Sequence, residues 1–394
     1  MARILPYGVI KSVCLYCEGT EIPDIFALWS GIMCVSSALG REAFVDQGVF
    51  TVYPNLYVML VAASAKCRKS TSIMVSYKFI DKVVPKINIL CQKLTAEYLI
   101  GELSGTLSKE ERVVIPQASG IAIADEVSTL IDKNGFASGL IPLLTKLYDC
   151  EDFPYGTRSR GKEFIKNPCL SLFGGSTVKW IKESIPIVSI GGGFTSRIIF
   201  VFKDASKNEV PWPVFNEEKQ KLAEKIVHDL CEISKIRGAF AFTKEAIVLY
   251  SNEYKQFRAT SPFFSNLMLE GYAGRRHVLV IKLSMILSAS ARDDKIVGEE
   301  DVAVAIDILR NAEANMPLVM EAITSEAVGD LCDEVFSFIR GNVFVTRTDL
   351  LRVMKRKMSS RELDVITDTL QQAGLITATM NQKGGIVYEV TKKK

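Results

Sequence analysis

At 394 residues the chain exceeds one ordinary domain and predicts two or three. Its 48% apolar and 24% charged residues exclude a disordered polymer, and it has no run of about 20 uncharged apolar residues to form a membrane span. The net charge of +3, from 48 Lys and Arg against 45 Asp and Glu, names no partner by itself.

That charge is unevenly spread. From Asn342 to Lys394 ten basic residues stand against five acidic ones, a net +5 on a body near −2. A basic C-terminal module suggests a polyanion contact there, with a solubilising tail at Lys392, Lys393 and Lys394 as the alternative. Met1 to Gly8 lacks the apolar core and small-residue cleavage site of a signal peptide. Nine cysteines are scattered. Cys14 and Cys17 form a C-x-x-C, but no second pair follows at zinc spacing, and there are only two histidines, His228 and His277. The expectation is a reduced cytoplasmic protein without structural zinc, its histidines serving packing.

In chain order, Ile22 to Gly40 reads as a largely apolar helix opened by Asp24 and closed by Gly40. Val49 to Tyr53 is strand-like. Leu56 to Ala63 is a short β-rich apolar run, the pattern of a buried parallel strand. Similar runs are Ile121 to Ala124, Cys169 to Phe173 and Ile198 to Phe202. Helix-sized segments separate them, which predicts an α/β fold with a parallel sheet. After Pro211-Trp212-Pro213 the chain reads as mostly helical from Glu217 to Thr324. Leu331 to Arg340, Thr348 to Lys357 and Ser360 to Gln372 then predict three short helices. Leu375 to Thr379 and Ile386 to Thr391 predict a hairpin. Three helices and a hairpin are the pattern of a winged helix.

Between the first buried strand and its helix lies Ala63-Ser64-Ala65-Lys66-Cys67-Arg68-Lys69-Ser70-Thr71. It fits the P-loop spacing G-x-x-x-x-G-K-[ST], with Ala63 and Arg68 in the glycine positions. Backbone N–H groups and the helix N-terminus would surround the phosphates of ATP. Lys69 would reach the β- and γ-phosphates, and the Ser70 hydroxyl would hold Mg²⁺. The alternative is a lysine-rich strand-to-helix turn. Asp125 and Glu126 close the run Ile121 to Ala124. A P-loop ATPase needs one carboxylate for the Mg²⁺ shell and another to orient the attacking water, and Asp125 and Glu126 suit those roles. An acidic helix start is their plainer explanation. Ser176 or Thr177, after another buried strand, would touch the γ-phosphate or the water, or simply cap a turn. Arg197, before Ile198, would act in trans on a neighbouring subunit's nucleotide, or form a surface ion pair.

Taken together, the segments Tyr53 to Thr71, Ala124-Asp125-Glu126, Tyr155 to Thr177 and Gly191 to Phe202 resemble the AAA+ ATPases. The closest resemblance is to phage- and plasmid-type ATPases found fused to or beside primase-polymerases. Glu21 to Arg41 resembles their N-terminal lead-in, and the likeness spans about Ile22 to Ile308. Ser196-Arg197-Ile198 and the stretch from Gly274 to Asp301 are more distantly similar to the arginine finger, sensor-2 helix and lid of minichromosome maintenance helicases. The resemblance implies an AAA+-type core with a helical lid and a C-terminal winged helix. The expected divisions are 1–54 lead-in, 55–215 core, 216–330 lid and 331–394 winged helix. It also implies that Arg275 or Arg276 contacts the γ-phosphate, and that the chain forms a ring, commonly a hexamer, that hydrolyses ATP on DNA. Ala63 and Arg68 depart from the pattern and bear on the rate of hydrolysis.

Such helicases project a basic hairpin before the sensor strand, which here maps to Arg158, Arg160 and Lys162. In the last module Arg356, Lys357, Arg361 and Lys383 are candidates for duplex or forked DNA, alongside Arg347, Arg352 and Lys355. A solvated loop and a protein-binding winged helix are the respective alternatives. The expected function is a DNA-dependent ATPase motor, a ring-forming replicative helicase of a virus or mobile element in the cytoplasm of a prokaryotic host. It would act on single-stranded or forked DNA, with a separate primase-polymerase as a possible partner and no membrane. The alternatives are a helicase loader or nucleotide-gated DNA-binding switch with weak turnover, and a transcriptional regulator with a degenerate ATPase domain.

Overall fold

The computed structural model describes residues 8–63, 66–91, 93–104, 118–131, 139–157, 161–184, 193–206, 209–266, 268–342, 344–355, 358, 360–380 and 385–391. The chain divides into two compact units, residues 1–319 without 186–188, and residues 320–394 with 186–188.

The first unit is built on a five-stranded, all-parallel sheet of β1 (Tyr57–Val61), β2 (Ile89–Leu90), β3 (Ser119–Ala124), β4 (Cys169–Ser176) and β5 (Ile198–Phe202). The spatial order is β2-β3-β4-β1-β5. All residues of β1 and β4 are buried, which explains their unbroken apolar runs. The register sets Val61 beside Ser176 on one side and Phe202 on the other. From β1 the chain crosses β4 and β3 to reach β2, whereas from β4 it crosses β1 to reach β5. Right-handed crossovers that travel in opposite directions place their connections on opposite faces. The sheet therefore has a switch point at the carboxyl ends of β1 and β4, where open α/β sheets leave a crevice for ligands.

Among the helices of this unit are α1 (Asp24–Leu39), α2 (Lys69–Ile80), α3 (Leu140–Tyr148), α4 (Glu270–Ala291) and α5 (Glu299–Glu313). Only three of the sixteen α1 residues escape burial, and its serines compensate internally. Ser30 Oγ lies 2.8 Å from Ser72 Oγ, and Ser36 Oγ donates to the Pro54 carbonyl at 2.7 Å. In α4 the buried Lys282 donates to the backbone and side-chain oxygens of Asn55, each at 2.7 Å, and stacks over Tyr148. This ties α4 to the amino end of β1. No helix among the described residues is long and apolar enough to cross a membrane.

The strand expected from Val49 to Tyr53 narrows to Thr51–Val52, paired antiparallel with Ala43–Asp46. Val49 is 96% exposed in the intervening turn, where its side chain finds no packing partner to continue the strand. The region expected to be mostly helical also contains strand pieces. Gly238–Ala239 pairs in parallel with Ala43–Asp46, and Ala241–Phe242 with Ile296–Val297.

The second unit carries helices Arg347–Met354 and Ser360–Gln372, the later part of Met316–Arg340, and a small antiparallel sheet. Its core gathers Val335, Ile339, Leu350, Leu363, Ile366 and Tyr388. The expected hairpin is present as Ile376–Met380 and Ile386–Val390, and Val345–Thr346 adds a third strand beside Ile386–Val390. Thr346 then caps the next helix, accepting from the Asp349 N–H at 3.2 Å.

Candidate functional site

Because the sheet is parallel, β1, β3 and β4 all end at one edge, and the chemistry-bearing residues gather there. Ala62 and Ala63 leave β1, with the Ala62 N–H bonded to the Ser176 carbonyl at 3.3 Å. Ser64 and Ala65 lie outside the described residues. Lys66, Cys67 and Arg68 lead into α2. Arg68 adopts φ 46°, ψ 38°, the left-handed region that glycine enters freely and other residues enter at a cost of about 1 kcal/mol. It stands in the second glycine position of the P-loop spacing. Ala63 stands in the first.

The loop is fastened to the chain beyond β5. The Ser206 N–H donates to the Lys66 carbonyl at 3.2 Å, and the Cys67 thiol to the Lys203 carbonyl at 3.5 Å. Arg68 reaches Glu21 at 2.5 Å, which keeps that carboxyl below its ordinary value. Glu21 also accepts from the Val210 N–H at 3.3 Å.

Lys69 is only 6% exposed, and its ammonium folds back to donate to the carbonyls of Ala62 at 2.9 Å and Ala63 at 3.2 Å. Burial lowers its pKa, and the nearby Glu126 opposes that shift. Burial raises Glu126 above the ordinary carboxylate value, Lys69 counters this, and Asp125 adds to it. Glu126 is therefore the electrostatic neighbour of Lys69 on one side and of Asp125 on the other. Asp125 is exposed, and its Oδ1 accepts from the Glu126 N–H at 2.9 Å. Ser70 and Thr71 are exposed in the first turn of α2, which has no acidic residue and no side-chain cap. That leaves a helix N-terminus suited to an anion.

The middle strand β4 makes this gathering possible. A Cβ on Gly175 would stand 2.5 Å from the Asp125 carbonyl oxygen, and one on Gly174 would stand 2.5 Å from Val127 Cγ2. Two glycines thus let the acidic turn lie directly on β4. Ser176 is buried, with its hydroxyl donating to the Thr177 carbonyl at 3.2 Å. Thr177 Oγ1 accepts from the Trp180 N–H and so caps the next helix.

A feature that sequence reasoning missed adjoins the loop. Pro23, Asp24, Ile25, Phe202, Lys203, Ser206, Asn311 and Asn315 line a cavity of about 310 Å³. Its lining is mixed, with Pro23, Ile25 and Phe202 beside two carboxamides, a hydroxyl and one charge of each sign. Asn311 sits in the last turn of α5 and Asn315 in the turn that follows it, a polar spacing that was its local trace in the sequence.

At the opposite edge, Arg197 closes a 3-10 turn, Thr195–Arg197, just before β5. Ile198 pairs with Tyr57 and Phe202 with Val61, so Arg197 stands about 16 Å from the loop edge, the length of five strand residues. It is held by Asp149 at 2.7 Å. Arg275 lies within electrostatic reach of it. Burial, then Arg197, lowers the Arg275 pKa, and Asp149 opposes them. The adjacent Arg276 points elsewhere. It donates to Glu313 at 2.6 Å and Glu253 at 2.9 Å, stacks over Phe257 and is 3% exposed. In this structure neither arginine joins Lys69.

Among the DNA candidates, Arg158, Arg160, Arg356, Lys357 and Lys383 lie outside the described residues, as do the side chains of Lys162 and Arg361. Lys162 belongs to Gly161–Ile165, paired antiparallel with Phe153–Thr157, so the expected hairpin is present. Arg347 is taken up by Asp364 at 2.8 Å. Arg352 and Lys355 are exposed. His228, expected to pack, has a side chain 73% exposed, because its helix turns that position to solvent. His277 does pack, edge-on to Tyr254.

No protein-family model matches this chain, and no curated protein matches it. Among the described residues no group of three or more His, Cys, Asp or Glu forms a ready metal cage. Ser70 and Asp125 are hard oxygen donors of the kind Mg²⁺ takes together with water and phosphate.

Proposed function

We propose that the first unit binds and hydrolyses ATP with Mg²⁺, and that the whole chain is a DNA-dependent ATPase motor working as a ring of copies. The observation that carries this reading is the meeting of Lys69, Asp125 and Glu126 at the switch point of a parallel sheet, beside an uncapped helix N-terminus. The adjoining cavity of about 310 Å³ is of a size to receive the nucleoside.

In this reading Lys69 leaves the Ala62 and Ala63 carbonyls and turns to the β- and γ-phosphates. Ser70 and Asp125 hold Mg²⁺, which neutralises phosphate charge when bound. Glu126 orients the attacking water, and Ser176, one strand over, presents a hydroxyl beside it. Arg197 acts on the nucleotide of a second copy, since it stands a strand length from its own loop. The AAA+ resemblance supports the ring and helicase assignment. The Phe153–Thr157 and Gly161–Ile165 hairpin and the basic winged-helix pattern supply candidate DNA contacts.

A second reading, a loader or switch with weak turnover, is favoured by Arg68, which places a Cβ where close backbone approach to phosphate is needed. ATP hydrolysis by the purified chain, with and without single-stranded DNA and beside Lys69→Ala, tests both. DNA-stimulated turnover that Lys69→Ala abolishes supports the motor. Nucleotide binding without turnover above Lys69→Ala supports the switch and sinks the motor.

A further inference from the structure

Arg197 is anchored more firmly than an exposed side chain awaiting a partner. Asp149 accepts from Nη2 at 2.7 and 3.0 Å and from Nε at 3.3 Å, and the Gly193 carbonyl accepts from Nη1 at 2.5 Å. The Tyr148 ring lies 5.6 Å from the guanidinium carbon. These bonds leave one of the five guanidinium N–H groups, on Nη1, outside them. The arginine side chain is 7% exposed, whereas that of Asp149 is 42% exposed.

The backbone prepares this pairing. Asp149 is the C-terminal cap of α3, in helical conformation, and Cys150 follows at φ 59°. The left-handed turn stops the helix with the carboxylate toward Arg197. Arg275 lies within electrostatic reach of both Arg197 and Asp149. Without Asp149 the two cations would repel each other, and Arg197 would lose its fixed direction. The pair also carries an excess positive charge, which an arriving anion would relieve.

We infer that Asp149 is the positioning residue for Arg197, fixing its guanidinium so that the remaining Nη1 N–H meets the terminal phosphate of a nucleotide held by a second copy of this chain. The inference rests on the trans reading above. The physical gain is that a long side chain is ordered before the phosphate arrives, so its lost freedom is a cost of folding rather than of the reaction. In this role Asp149 acts through Arg197 and not on the nucleotide.

The test measures ATP turnover for the full chain, Arg197→Ala and Asp149→Ala, each alone and mixed with Lys69→Ala. An arginine acting in trans contributes about 10³-fold or more. Loss of the partner that orients it is expected to cost about 10- to 100-fold in kcat. KM for ATP should change by less than about twofold, because that chain's own loop is intact. Mixing Asp149→Ala with Lys69→Ala should restore turnover above the sum of the two alone. The Lys69→Ala copy lends an intact Asp149–Arg197 pair to a neighbour with a working loop. A merely misfolded variant would not be rescued in this way. Full turnover in Asp149→Ala with loss in Arg197→Ala overturns the inference and leaves the trans reading standing. Loss in Asp149→Ala that mixing does not restore also overturns it. Full turnover in Arg197→Ala, or none in the unaltered chain, overturns the underlying reading and this inference together.

Discussion

Lys69 and Glu126 act on each other electrostatically across the carboxyl end of β4, which separates β1 from β3. Burial pulls the lysine down and the glutamate up, and each opposes the shift of the other. In the proposed chemistry Glu126 must be ionised and Lys69 protonated. Turnover should therefore fall as pH drops through a value above that of an ordinary glutamate. It should fall again as pH rises through a value below that of an ordinary lysine. A pH profile of kcat/KM checks both limbs. An acid limb at or below the ordinary glutamate value would remove Glu126 from the role.

The strained position of Arg68 separates two effects that the sequence motif confounds. Arg68→Gly relieves a left-handed conformation worth about 1 kcal/mol and opens space for phosphate. It gives up the exposed, solvent-screened pair with Glu21, which contributes little to stability. Arg68→Ala gives up the pair and keeps the Cβ. Titration with a fluorescent ATP analogue should find Arg68→Gly binding at least as tightly as the unaltered chain, and Arg68→Ala more weakly than Arg68→Gly. Equally weakened binding by both variants relative to the unaltered chain would show that the guanidinium, and not the backbone, matters to phosphate.

Arg276 is a stability residue in the present structure. Its guanidinium is the shared partner of Glu253 and Glu313, both nearly buried, and Tyr272 adds a hydrogen bond to Glu313 at 3.0 Å. Arg310 reaches Glu253 at 2.7 Å from the exposed side. Arg276→Leu would leave Glu313 without a cation, and breaking a buried pair from one side costs about 3–5 kcal/mol. Denaturant unfolding followed by a probe in the first unit should show a loss of this size. A loss under about 1 kcal/mol would mean that Glu313 takes up a proton instead, toward which its raised pKa already leans.

The legible and illegible parts of the sequence divide along physical lines. β1 and β4 were readable because a strand covered on both faces needs unbroken apolar residues, and both are buried throughout. Lys69 and the Asp125-Glu126 pair were readable because phosphate chemistry restricts residue type and spacing. Strands of two residues, such as Ile89–Leu90 and Val345–Thr346, carry no periodicity and exist only through their partners. Arg275 and Arg276 were indistinguishable in sequence, yet neighbouring helical residues point about 100° apart. One therefore pairs with Glu313, while the other lies within electrostatic reach of Arg197 and Asp149. The cavity beside the loop draws Pro23, Phe202 and Asn315 from three distant segments, and only the tertiary fold brings them together.

Gly175 tests whether the acidic turn must lie on β4 for the site to work. It faces the Asp125 carbonyl so closely that a Cβ would stand 2.5 Å away, and Ile73 Cδ1 lies 3.2 Å from the same point. The side chain can yield, but the carbonyl oxygen belongs to the backbone of the turn that aims Asp125 and Glu126. Gly175→Ala should therefore push that turn off the sheet. Overpacking of this kind costs about 1–3 kcal/mol. The larger consequence should be for chemistry, because a displacement near 1 Å in a positioned group can cost about 10²-fold in rate. The expected outcome is a folded protein that binds ATP through its intact loop and helix but has lost turnover. Circular dichroism, nucleotide titration and hydrolysis assays on the same preparation check this. Unchanged turnover in a folded Gly175→Ala protein would show that the acidic turn is not held in a catalytically exacting position, and would count against Asp125 and Glu126 as the working carboxylates.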